Sequence, residues 1–413
     1  MSAAYLGDTD SEDEVPNGWE ERLTEDGRVY YANHSTSQTQ WIHPKTGARK
    51  YVPKELPYGW TKQVDEDGTV IFFQESTGKK THTDPRLAFS RETKQSVYDF
   101  KQRFDASSTA FQVLNGVDLT GKRALITGAT CGIGLETAKS LAKHGCEVIL
   151  ACRSSSRANE AIEEIKAIKA TAIVEFVKLD LESLTSVKTC ANEVLIKFRT
   201  LDYLICNAGV FGAPFKLTED NYERTFQVNV LSHFYLILLC KPLLISTKGS
   251  RIIILSSESH RSSLMTPENI CEEYLSPRVA SNFVAFLAYG DTKLCDAILA
   301  TEIDRRWGHE GIICNSVHPG NMISTEISRN WWFYRLLFFI VRPFTKSLQQ
   351  GAATTVWGAT AEELNDVSGQ YLNNCWLCAP TEKVTNRDMG ESLWSMSIAM
   401  IERVMGVLPA NNK

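Results

Sequence analysis

Residues 125–135 read Leu-Ile-Thr-Gly-Ala-Thr-Cys-Gly-Ile-Gly-Leu. The stretch follows an apolar run and opens an amphipathic helical pattern. Gly128, Gly132 and Gly134 allow the backbone to turn sharply and come close to a ligand. The amides at the start of the next helix would face an anion with the positive end of the helix dipole. Such a loop is expected to cradle a pyrophosphate. A lone glycine cluster is also an ordinary turn, so the rest of the chain has to decide between the two.

Downstream and upstream of that loop, apolar β-type runs at 123–127, 147–151, 173–178, 203–206, 251–256 and 312–318 alternate with helical patterns, and a last short strand is expected at 370–372. This is the rhythm of an α/β fold with a parallel, doubly wound sheet and right-handed crossovers. Ligands in that fold lie beyond the carboxyl ends of the strands. Arg153 stands just past the second strand, where an acid would take a ribose hydroxyl. A cation there favours a 2′-phosphate, hence NADP(H), although an ordinary surface arginine would read the same way.

Thr127 to Gly134 resembles the T-G-x-x-x-G-I-G signature of the short-chain dehydrogenase/reductases, a Rossmann-type family. The resemblance implies that Thr127, Gly128, Thr130, Cys131, Gly132, Ile133 and Gly134 hold the cofactor. It implies further cofactor contacts from Asp180-Leu181, from Asn207-Ala208-Gly209 and from Pro319-Gly320 after the sixth strand. Tyr289-x-x-x-Lys293 puts its two side chains on one helix face. A tyrosine alone is a poor acid or base near pH 7, with a reference pKa of about 10, and an adjacent ammonium lowers it. By resemblance Tyr289 is the proton donor or acceptor, and Lys293 its partner and a holder of the cofactor's ribose. Ser257 is the residue that orients the substrate oxygen, and Asn229 completes a proton relay. Ser256 and Ser257 point to opposite sides of a strand, so only one faces the cofactor, and register with the motif selects Ser257.

The residues before this domain carry a second pattern. Trp19, Gly27, Tyr30-Tyr31, Asn33-His34, Thr36, Thr39, Trp41 and Pro44 lie within 16–49 and resemble a WW domain, a small three-stranded antiparallel unit. Strand alternation places Tyr30, Ala32 and His34 on one face and Tyr31 and Asn33 on the other. Trp19, Tyr31 and Pro44 are expected to clasp at the rear. Tyr30 and Trp41 would form two parallel walls of a slot for a polyproline II ligand. Ala32 and His34 would receive a ligand tyrosine, as in WW domains that prefer Pro-Pro-x-Tyr.

A repeat follows at 57–90, with Trp60, Gly68, Phe72 and Pro85 at a constant offset from Trp19, Gly27, Tyr31 and Pro44. Its slot positions hold Ile71, Glu75 and His82, so it is expected to fold, support the first copy and bind proline-rich peptides weakly or not at all. Residues 1–15 read as an acidic disordered tail and 91–117 as a polar linker, leaving 118–413 for the reductase domain.

The chain has 413 residues, net charge −5 and 11 cysteines. Mixed charge argues against nucleic-acid binding. The amino-terminal residues lack a signal-peptide pattern, no run of eighteen apolar residues is uninterrupted, and the default expectation is cytoplasmic, with nuclear and mitochondrial entry left open. Cys375-x-x-Cys378 has no second ligand pair nearby, so free thiols and no metal are expected. The aromatic run 331–341 admits three readings: an apolar substrate lid, a peripheral membrane or partner patch, and a core helix.

The order of these parts resembles oxidoreductases that carry WW domains. That group is regarded as recruiting Pro-Pro-x-Tyr proteins in growth-control, apoptosis and transcription-linked signalling. Its reductase domain would act on a small apolar carbonyl or alcohol, with steroid and retinoid suggested by kinship. An adaptor whose reductase fold binds cofactor without turnover is the competing expectation.

Overall fold

The computed structural model describes residues 15–24, 26–64, 68–75, 77–92, 98, 100–320 and 346–408. Residues 1–14 of the acidic tail and the aromatic run 331–341 lie outside the described residues, whereas Val15, read as part of the tail, is described and packs against the first sheet's core. The chain divides into a smaller unit, residues 1–101 with 115–118, and a larger one formed by 102–114 and 119–413.

The smaller unit contains both repeats. β1 (Trp19–Leu23), β2 (Val29–Asn33) and β3 (Gln38–Gln40) form one antiparallel sheet. After β4 (Lys50–Tyr51), strands β5 (Trp60–Val64), β6 (Val70–Gln74) and β7 (Lys80–Thr81) form another. The two sheets share one register: Trp19 faces Asn33 as Trp60 faces Gln74, and Arg22 faces Tyr30 as Gln63 faces Ile71. At the rear of the first sheet Val29, Tyr31 and Val52 are buried, with Val15, Trp19, Leu23 and Leu87 packed against them. The Tyr31 ring meets His43 edge to face, centroids 5.0 Å apart, while Pro44 is half-buried. Val52 and Leu87 come from beyond 16–49, so the first repeat's core is completed by residues outside it.

The stretch read as linker, 91–117, carries structure. β8 (Arg91–Glu92) pairs with β4. α1 (Ala110–Val113), closed by a capping box between Thr109 and Gln112, belongs to the larger unit. One helical turn is too short to show an amphipathic period.

The larger unit is a three-layer sandwich around one sheet. Its strands are β9 (Arg123–Thr127), β10 (Glu147–Cys152), β11 (Val174–Lys178), β12 (Tyr203–Cys206), β13 (Arg251–Leu255), β14 (Ile313–His318), β15 (Tyr371–Asn373) and β16 (Trp376–Cys378). They lie in the order β11-β10-β9-β12-β13-β14-β15-β16, parallel up to β15. The added antiparallel strand β16 turns back from β15 through Asn374 and Cys375. The order reverses between β9 and β12, the switch point at which doubly wound sheets open a crevice.

α1, α2 (Gly132–Lys143), α3 (Ser155–Ile168) and α9 (Leu348–Thr360) pack together on one side. On the other side lie α4 (Leu184–Lys197), the run α5 (Arg224–Phe226) through α6 (Ser232–Ser246), α8 (Ala285–Trp307) and α10 (Arg387–Met405). The short α7 (Glu272–Leu275) precedes α8. By length and composition Arg224–Ser246 could cross a membrane, but it is mostly buried in this fold. A helix apolar all round is what the centre of a large core requires.

Candidate active site and peptide-binding face

The glycine loop joins β9 to α2. Gly128 and Gly132 have φ of +66° and +58°, a left-handed backbone that glycine adopts without strain. α2 has no side-chain cap at Cys131, whereas Ser154 and Ser183 cap α3 and α4. Its first amides can therefore meet an anion. The glycines also have an internal role beyond the expected approach to a ligand. A Cβ on Gly134 would stand 2.4 Å from Asn207 Nδ2 and 2.5 Å from Gly128 O, and one on Gly128 would stand 3.0 Å from Ala208. The loop is closed against the end of β12.

A buried polar knot makes that closure. The Thr127 hydroxyl accepts the amides of Asn207 (2.9 Å) and Ala208 (3.0 Å), and Asn207 Nδ2 donates to Thr127 O at 2.9 Å. With both lone pairs used, Thr127 donates its proton to His233 Nε2 at 2.8 Å. Nδ1 then carries the imidazole proton and donates to Asn229 O at 3.0 Å. The tautomer follows from that count. Burial keeps the imidazole neutral, its pKa lowered to about 4.

Asn229 sits in a π-helical turn, Gln227–Leu231, between α5 and α6. Its Oδ1 accepts Val210 N at 2.8 Å, and its Nδ2 donates to Val210 O and to Thr292 Oγ1. The asparagine thus holds the backbone that follows Asn207-Ala208-Gly209. A Cβ on Gly209 would meet Asn229 Oδ1 at 3.3 Å.

Tyr289 and Lys293 lie one turn apart on α8. The Tyr289 phenol is close enough to the Ser257 side chain to interact with it electrostatically, and Lys293 Nζ lies 5.6 Å from the Tyr289 ring centroid. Ser257 also accepts Ser259 N at 3.2 Å. Ser256 turns the other way and donates to Lys293 O at 2.7 Å, anchoring α8 to β13. Desolvation by burial raises the Tyr289 pKa above its ordinary value; Lys293 and Ser257 act to lower it and Asp296 to raise it. The expected net lowering by Lys293 is thus reversed in the free protein, because removing a phenolate from water outweighs the ammonium. Lys293 Nζ donates to Leu255 O at 2.7 Å and to Asp296 Oδ2 at 2.8 Å.

Arg153 is exposed and lies 3.5 Å from Glu182, which also takes Lys216 at 2.7 Å. A carboxylate therefore does stand near that strand end, brought from the third strand. Asp180 Oδ1 accepts Glu182 N, while Leu181 is buried with its carbonyl bonded to Ser232. Pro319 and Gly320, with φ +109° at Gly320, follow β14. His233, Thr292, Asp296 and Phe211, whose ring meets Tyr289 edge to face at 4.8 Å, were not foreseen. Only the i, i+3 spacing of Lys293 and Asp296 was a local signal for any of them.

On the first repeat, Tyr30 and Trp41 stand side by side with centroids 6.0 Å apart and planes at 63°. They are tilted, not parallel as expected, since an edge-to-face pair is electrostatically preferred. Beside them Glu20 links His34 (2.8 Å) to Arg22 (2.8 Å). The second sheet holds Ile71, Glu75 and His82 at the corresponding places. Among the described residues every cysteine is a free thiol; Cys375 is buried beside Thr354 and Cys378 half-buried.

A three-layer fold with this loop and this Ser-Tyr-Lys constellation defines a short-chain dehydrogenase/reductase, here preceded by WW sheets. The short chain dehydrogenase family profile matches residues 122–266 and the WW domain profile residues 15–44. The chain belongs to the family of WW domain-containing oxidoreductases. It is 50% identical to the proteins of that name from Drosophila melanogaster, covering 97% of this chain and 98% of the relative, and from Homo sapiens, covering 98% of each. Retinol dehydrogenase 12 of Mus musculus is 35% identical over 69% of this chain and 88% of its own length. A solved protein from Mycobacterium paratuberculosis shares the fold with a TM-score of 0.55 at 24% identity, covering 69% of this chain and 95% of its own.

Proposed function

We propose that the larger unit reduces or oxidises a small apolar carbonyl or alcohol with NADP(H), and that the first WW sheet brings Pro-Pro-x-Tyr proteins to it, in the cytoplasm. The observation that carries the catalytic half is the convergence of Ser257, Tyr289 and the Lys293 ammonium at one end of the sheet. The uncapped start of α2 and its left-handed glycines suit a dinucleotide pyrophosphate, and exposed Arg153 suits a 2′-phosphate. A nicotinamide dinucleotide, when held there, would supply the hydride. Ser257 orients the substrate oxygen. Tyr289, held as a neutral phenol by burial, donates its proton to that oxygen, and Lys293 stabilises the phenolate left behind. Phe211 against Tyr289 makes this end of the site apolar, which supports a lipid-like substrate such as a steroid or retinoid. The 35% identical relative named for retinol points the same way.

The test is a panel of apolar aldehydes, ketones and alcohols with NADPH or NADP, run on the wild type and on Tyr289→Phe. Turnover should fall by about a thousandfold or more in the variant while cofactor affinity stays within about twofold. Cofactor binding without turnover of any panel member in the wild type would favour the scaffold reading.

A further inference from the structure

We propose that Asp296 is a positioning residue of the reductase site: through a buried ion pair it fixes the Lys293 ammonium and offsets its charge, so that Tyr289 stays in the protonated, proton-donating form. This rests on the assignment of Tyr289 as proton donor.

Lys293 has three N–H bonds to place. One goes to Leu255 O at the end of β13 and one to Asp296 Oδ2, at 2.7 and 2.8 Å, which leaves a single N–H for the phenol side of the helix. The direction of that last donor is therefore set by the other two. Both partners of the pair are buried: the Lys293 side chain is 5% exposed and that of Asp296 is 2% exposed. Among the described residues Asp296 Oδ1 has no hydrogen-bond partner. A carboxylate in that position keeps its charge only through the ammonium beside it, and burial pushes its pKa up to about 6.

Among the described residues the other ionisable groups acting on Asp296 are thiols, and the neutral His233 lies near Lys293. Cys206 comes from the end of β12 and Cys295 from α8 itself, and burial holds both well above the usual thiol range. Tyr289 accordingly senses one cation and one anion from the same helix face, an arrangement closer to a dipole than to a point charge. A lone ammonium would pull the phenol toward ionisation, whereas the pair does so much less. The opposing signs with which Lys293 and Asp296 act on Tyr289 agree with this geometry. A neutral phenol is the form that protonates an oxyanion, so the pair prepares the site for carbonyl reduction.

The experiment follows the ionisation of Tyr289 in the full-length protein by NMR of 13Cζ-labelled tyrosine between pH 7 and 12, with Tyr289→Phe assigning the signal. Asp296→Asn keeps an oxygen for Lys293 Nζ but removes the charge. Its Tyr289 midpoint should fall by about one pH unit or more relative to wild type, and adding Lys293→Gln should return it toward the wild-type value. If Asp296→Asn does not fold, Asp296→Ser is held to the same criterion. A midpoint that is unchanged or higher in the folded variant overturns the proposal, even if the variant is less stable. The titration needs no substrate, so its outcome stands apart from the turnover test: full turnover in Tyr289→Phe would overturn the donor assignment while leaving the measured coupling intact.

Discussion

The reductase cleft and the face of the first WW sheet hold their side chains in opposite ways. In the cleft, Thr127, Asn229, His233 and Lys293 are buried, and their polar atoms are bound to backbone or to other buried side chains. On the WW face, Glu20, Arg22, His34 and Trp41 are exposed and linked only along the surface, while Val29 and Tyr31 form the core behind them. The cleft is part of what holds the larger unit together. The WW face can be changed without disturbing its core.

The largest expected difference is in acid stability. His233 is neutral in the fold with a pKa near 4, against about 6.5 when unfolded, so its contribution is present above pH 6.5 and lost as pH falls towards 4. Asp296 acts the other way in the same range, since its folded value of about 6 lies above the unfolded one. Comparison of wild type with His233→Phe isolates the histidine: chemical denaturation from pH 7 to 4 should show about 3 kcal/mol less acid loss in the variant. Equal slopes would remove His233 from the account.

On the WW face, Trp41→Ala should abolish binding of a Pro-Pro-x-Tyr peptide expected at roughly −7 to −8 kcal/mol, a loss of at least about 2 kcal/mol. The stability of the sheet should change by less than about 0.5 kcal/mol. Trp60→Ala is the converse control, lowering stability with only an indirect effect on affinity. Chemical shifts centred on Ile71 and His82 during the titration would assign binding to the other sheet.

Cofactor choice should respond less. Arg153→Asp is expected to shift the NADP(H)/NAD(H) affinity ratio by roughly tenfold, because the guanidinium is exposed and shared with Glu182. Isothermal titration with both cofactors measures it, and an unchanged ratio would count against the 2′-phosphate role. Smallest of all, Glu20→Gln should alter peptide affinity by less than about threefold, as expected for an exposed ion pair.

Much of this was legible because motif and strand end coincide. Gly128 to Gly134, Asn207-Ala208-Gly209, Ser257 and Tyr289 each follow a run of apolar residues that declares its own strand or helix, and the strands fall within a residue or two of their expected bounds. The WW registers were legible through the repeat itself. What escaped had no local signature. Thr127 and His233 are 106 residues apart and meet only in the folded core. β16 and α1 are too short for periodicity to register, and nothing local marks His43 as the ring that meets Tyr31. The sign of the Tyr289 shift depends on burial and on Asp296, neither of which a Tyr-x-x-x-Lys spacing contains.

Leu87 and Val52 carry a practical consequence for cutting the chain. A fragment ending at residue 49 would expose the rear of Tyr31 and Val29 and take Lys50 away from its strand pairing with Glu92. Any excised cassette must therefore keep 15–92 with β4 and β8, and Tyr58 N, which donates to Gly116 O, ties 115–118 to the same unit; a single-repeat fragment is expected to melt at lower temperature and be more readily degraded than the pair. An isolated first sheet that proves weak in peptide assays would then report a severed core, with its aromatic slot unaltered.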